Sequence, residues 1–99
     1  MTHRVVFTPS TKQHLREARD WYDADGLDLG KALLRDVLAA TNRIASDPEQ
    51  FAKVYGEVRQ LVLKRFLYVI SFRVKNDQVE VLSILHGHRN PNIWKRRSH

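Results

Sequence analysis

The stretch from Val58 to Leu85, "VRQLVLKRFLYVISFRVKNDQVEVLSIL", decides the fold. Its apolar residues recur with a period of two, the spacing that turns one side of an extended chain toward a core. "VRQLVL" (58–63), "RFLYVISFRV" (65–74) and "QVEVLSIL" (78–85) read as three strands. The middle one is apolar on both faces around Val69 and Ile70, which places it inside a sheet. "KND" (75–77) supplies the Asn and Asp of a tight hairpin turn between the last two.

Upstream the period changes. "HRVVFT" (3–8) is a short β-branched strand, and "TPSTKQ" then offers a helix start with Ser10 as N-cap and Gln13 completing a capping box. Leu15, Ala18 and Tyr22 form one apolar stripe at helical steps, with Trp21 beside it. "DADGLD" (23–28) breaks this helix, Gly26 being the expected C-terminal cap. A second helix runs from about Leu29 to Ala45, where Leu29, Leu33, Val37, Thr41 and Ile44 keep helical spacing and Leu34 and Leu38 widen the stripe. "SDPEQF" (46–51) ends it, because Asp47-Pro48 cannot continue a helix. So short a break between the helices predicts an antiparallel helix hairpin. The order is β-α-α-β-β-β, an α+β fold with the hairpin packed on one face of a small, mostly antiparallel sheet. "NPNIWKRR" is expected to form one helical turn opening at Asn90-Pro91.

Composition narrows the function. The 99 residues, 42% hydrophobic and 28% charged, read as one globular domain over 1–99 without repeats or linkers. No cysteine is present, which removes disulfides and thiolate metal sites and fits a reducing compartment. "MTHRVVFTPS" lacks the apolar run of a signal peptide, and no stretch approaches the roughly 18 apolar residues of a membrane span. A soluble cytoplasmic protein with no membrane partner is therefore expected. The net charge of +6 is unevenly placed: residues 1–50 carry 7 Lys+Arg against 8 Asp+Glu, and residues 51–99 carry 10 against 3. A basic half attracts nucleic acid or an acidic protein surface, although a solvated basic face would look the same in sequence. Arg59, Arg65 and Arg73 have odd numbers on adjacent strands; register permitting, they would share the uncovered sheet face as a basic concave surface.

At this point a resemblance emerges. The element order, "DWYD…LG", the "SDPEQF" exit, and the ordered set Arg59, Arg65-Phe66-x-Tyr68, His86-x-x-Arg89-x-Pro91-x-x-Trp94 resemble the RelE/ParE superfamily of toxins from type II toxin–antitoxin systems. The resemblance covers essentially the whole chain. It implies a growth-arresting protein neutralised by a cognate antitoxin. RelE-like members cleave mRNA in the ribosomal A site, whereas ParE-like members inhibit DNA gyrase and have lost the nuclease residues. "RFLY" with "HGHRNPNIW" looks closer to the ParE branch, where that strand often reads Arg-Phe-Pro-Tyr; Leu67 replaces the proline here.

Metal-free RNA cleavage needs a base for the 2′-OH, an acid for the leaving oxygen and cations for the phosphorane charge. The nuclease branch resembles this chain at Arg65 and Arg89, and commonly keeps a tyrosine near where Trp94 stands. Indole has no proton to exchange near neutral pH, so that role is vacant unless His86 or His88 fills it. His86 also has the strand parity of Leu82 and Ile84, so it reads equally as a hydrogen-bonded strand end. His86-x-His88 has no third ligand nearby, and Asp20, Asp23, Asp25 and Asp28 lack calcium-loop spacing; no metal or cofactor is expected. For target binding the candidates are Arg59, Arg65, Arg73, Arg89, Trp94, Lys95 and Arg96, with Arg97 extending the basic tail.

Three functions follow in order: a ParE-like inhibitor of DNA gyrase, a RelE-like ribosome-dependent mRNA endonuclease using Arg65, Arg89 and His86 or His88, and a non-enzymatic nucleic-acid binder. The expected partners are an antitoxin and either gyrase or the ribosome with its mRNA. An uncovered basic sheet face with free edges would suit an acidic antitoxin segment that folds on binding.

Overall fold

The computed structural model describes residues 2–24 and 29–87. Strand β1 (Arg4–Phe7) leads into helix α1 (Pro9–Asp23), which is followed by helix α2 (Leu29–Ser46) and a short 3-10 turn at Pro48–Gln50. Strands β2 (Lys53–Tyr55), β3 (Val58–Val62), β4 (Tyr68–Lys75) and β5 (Gln78–His86) complete one sheet in the order β1-β5-β4-β3-β2. β4 is central, as its apolar character on both faces requires. β1 runs parallel to β5 and the other pairings are antiparallel. The fold is the expected α+β arrangement, with β2 as an additional short edge strand.

Local chemistry explains the boundaries. Helix α1 starts at Pro9, not after Ser10: Thr8 is the N-cap, its hydroxyl accepting from the Thr11 amide at 3.2 Å. Proline suits the first helical position because its missing N–H would have no partner there. The capping box expected at Ser10 and Gln13 does not form; Gln13 instead bonds Glu17 and Arg16 along the helix surface. Gly26 and the Asn90-Pro91 turn lie outside the described residues. The β4–β5 turn is as read: Asn76 and Asp77 have φ of 52° and 63° between the paired Lys75 and Gln78, the backbone of a two-residue type I′ hairpin.

Strand β4 begins at Tyr68 instead of Arg65. Residues 64–66 form a turn that Leu67 closes at φ 58°, with the Leu67 amide bonded to the Leu63 carbonyl at 3.0 Å. Proline is locked near −65°, so the family's proline could not occupy this backbone at position 67. The even-numbered period Phe66, Tyr68, Ile70, Phe72 begins within this turn, so the sequence alone does not show that the strand starts only at Tyr68.

The helix hairpin packs Ala18, Leu33, Val37, Ala40 and Ile44 against Leu61, Tyr68, Ile70, Phe72, Val79, Val81 and Ile84 of the sheet. Thr11 is fully buried in this layer and donates its hydroxyl to the Val81 carbonyl at 2.7 Å, tying α1 to the sheet. That carbonyl keeps the Thr8 amide at 3.3 Å when the hydroxyl is lost. Thr11→Val should therefore cost about 1 kcal/mol. A urea titration should show it as a lower midpoint with an unchanged slope.

Candidate functional site

Register disperses the arginines expected on one face. Arg59 pairs with Phe72, and Arg73 pairs with Glu80. Phe72 and Arg73 are neighbours on one strand and point to opposite sides of the sheet, so Arg59 and Arg73 do too. Arg65 is on the turn, not on a strand. The proposed basic concave surface is therefore absent from the described residues: the second sheet face presents Gln60, Val62, Val69, Ser71, Ser83 and Leu85 beside the Arg73–Glu80 pair. A shift of one residue in β3–β4 pairing would have reversed the outcome, which is why parity alone misled.

Each arginine is already engaged. The Arg59 guanidinium donates to the Phe51 carbonyl at 2.6 Å, pinning the segment that leads into β2. Arg73 Nε meets Glu80 Oε1 at 2.8 Å across the β4–β5 pair. Arg65 donates through Nε and Nη2 to both Asp36 carboxylate oxygens, each at 3.2 Å, and its guanidinium carbon lies 4.9 Å from the centre of the Phe66 ring. The Arg65–Asp36 bridge is largely solvated, with the Arg65 side chain 59% exposed, so it contributes at most about 1 kcal/mol. It lays the guanidinium beside α2.

His86 lies across from Tyr68, with ring centroids 5.4 Å apart and edge-to-face. It lines a pocket of about 170 Å³ together with His14, Glu17 and Trp21 of α1. Sequence reasoning did not single out His14 or Glu17. Their signal was helical spacing, since 14, 17, 18 and 21 share one stripe, but nothing in the sequence said which strand that stripe would meet. Tyr68, the tyrosine of the Arg-Phe-x-Tyr pattern, is only 4% exposed and touches Tyr22, which in turn meets Phe66 edge-on. Arg65 lines a different and larger groove of about 520 Å³ between α2 and β3. The nuclease set Arg65 plus His86 is thus split between two cavities. His88, Arg89, Trp94, Lys95 and Arg96 lie outside the described residues. Among the described residues no cluster of three or more His, Asp or Glu could hold a metal ion, and no helix is long and apolar enough to cross a membrane.

The described residues form a small α+β domain with a helix hairpin on one face of a five-stranded sheet, and Lys64 and Arg65 sit on the turn that enters its central strand. The chain belongs to the family of the ParE toxin of the type II toxin-antitoxin system parDE, whose model matches residues 5–91. It is similar to Toxin ParE2 of Mycobacterium tuberculosis, in strains CDC 1551 / Oshkosh and ATCC 25618 / H37Rv. The identity is 30% over 93 residues, covering 93% of this chain and 89% of the relative. Its fold also matches a solved structure described as the chromosomal ParDE TA system from P. aeruginosa, with a TM-score of 0.75 at 21% identity. That match covers 86% of this chain and 96% of the other.

Proposed function

We propose that this chain arrests growth by binding and inhibiting DNA gyrase, and that a cognate antitoxin neutralises it in the cytoplasm. Membership of the ParE family supports the toxin role, and the ParDE description of the structural match supports an antitoxin partner. The observation that favours the inhibitor over the nuclease is the separation of Arg65 from His86. A cation that stabilises a phosphorane must stand beside the group that moves the proton. Here one edge of the Arg65 guanidinium, Nε and Nη2, is held by Asp36 on α2 beside the larger groove, and His86 opens into a separate pocket.

Purified toxin added to gyrase should inhibit supercoiling as it approaches saturation, while bulk mRNA in expressing cells stays intact. Full supercoiling activity at saturating toxin would overturn the proposal. One observation favours a second function, ribosome-dependent mRNA cleavage: His14, Glu17 and His86 gather in one pocket, and imidazoles are suited to proton transfer near neutral pH. Codon-positioned cuts in primer extension, abolished by His86→Ala, would establish that alternative.

A further inference from the structure

The outer side of the helix hairpin, turned away from the sheet, is grooved. On α1, Lys12, Leu15, Arg16 and Arg19 recur at the 3- and 4-residue steps that share one helix face. Lys31, Leu34, Arg35 and Leu38 do the same on α2. Arg19 lies against Gly30, and Leu15 lines the same groove as Leu34, so the helices run in opposite directions and Leu38 stands beside Lys12. The groove holds about 210 Å³, room for one large apolar side chain. Leu38 extends its apolar strip and is 58% exposed.

Cations border this strip on both helices. Arg16 donates to Gln13 at 2.7 Å and Arg19 pairs with Asp20 at 3.1 Å. No described residue pairs with Lys12, Lys31 or Arg35, which are exposed. Asp23, the other carboxylate near the groove, is engaged by the Gly30 amide at 3.1 Å. The first half of the sequence is nearly neutral, with 7 Lys+Arg against 8 Asp+Glu, yet folding gathers most of those cations on one face.

We infer that this groove receives an acidic amphipathic helix of a partner protein, laid along α1 and α2 as the third helix of a bundle; the inference is independent of the function proposed above. One apolar side chain of that helix would enter between Leu15 and Leu34, and another, a turn further on, would cover Leu38. Carboxylates on its flanks would meet Lys12 and Arg16 on one side and Lys31 and Arg35 on the other. Each stripe runs about 10 Å along its helix, so two to three turns of the partner suffice. Shape and charge select among occupants. A second copy of this chain would set the same cations face to face. A nucleic-acid backbone would answer the cations but press its phosphates onto Leu15, Leu34 and Leu38. An anionic bilayer would reach the rim and leave the concave floor empty.

The probe is a capped helical peptide of Glu, Ala and Leu with its leucines confined to one face, followed by fluorescence anisotropy and backbone-amide NMR on the full chain. Its controls are the counterpart with Lys for Glu, the same composition with the leucines scattered, duplex DNA, and vesicles of phosphatidylglycerol and phosphatidylcholine. The acidic peptide should shift the amides of 12–19 and 31–38, weaken with salt, and bind more tightly than every control. Lys12→Glu with Arg35→Glu reverses two exposed charges, and Leu38→Ala trims an exposed side chain, so the circular dichroism spectrum and thermal midpoint should persist in both. Each should weaken binding at least about tenfold. The charge-reversed chain should also take the Lys counterpart in preference to the acidic peptide. No binding, shifts elsewhere, undiminished binding by either variant, or equal binding of any control would overturn the docking site.

Discussion

Phe72→Ala should come close to abolishing the folded state. Phe72 is fully buried on the central strand β4, and its ring meets Phe51 edge-on with centroids 5.8 Å apart. It thereby joins the sheet, the helix layer and the segment after the 3-10 turn. Removing a buried aromatic ring costs about 3–5 kcal/mol when the surroundings cannot collapse into the void. A domain of this size is stable by about 5–15 kcal/mol in all, so the loss takes a large share. The thermal midpoint should fall by more than about 10 °C, and growth arrest should weaken with it. Phe72→Leu, which keeps most of the volume, should cost far less. A midpoint unchanged in the alanine variant would mean that the core is not organised around this ring.

Gly30→Val should be the second most damaging substitution. Gly30 is buried where α2 begins, against the end of α1. A Cβ there would lie 2.8 Å from Asp23 Cγ and 2.9 Å from Arg19 Cγ, too close for either to remain in place. The Gly30 amide also donates to Asp23 Oδ1 at 3.1 Å, a bond that satisfies a helix-start donor and would be lost if Asp23 moved. Overpacking costs about 1–3 kcal/mol, and the lost hydrogen bond adds about 1 kcal/mol. Gly30→Ala should be milder, because alanine recovers about 1 kcal/mol of helix propensity while valine brings a second branch into the same contact. Equal stability of the valine variant and the parent in urea would show that the hairpin opens without cost.

The two substitutions mark two kinds of information. Phe72 as a core residue follows from period two in "RFLYVISFRV". Nothing local announces that Gly30 approaches another helix, because that contact exists only once the hairpin closes. The same division runs through the site. Arg59, Arg65 and Arg73 were visible as basic residues at strand-like spacing, yet their faces depended on pairing Arg59 with Phe72 and Arg73 with Glu80. His14 and Glu17 were visible on a helix, but their meeting with His86 required α1 to cross the end of β5.

The sequence by itself determined both helices and every strand but the short β2, together with the α+β class, the central position of β4 and the turn at Asn76-Asp77, because hydrophobic period and turn chemistry act between near neighbours. Tertiary structure alone decided which arginines are held by carboxylates and where β4 begins. Those outcomes depend on register and on contacts between distant segments, and a change of one residue in register moves a side chain to the opposite face.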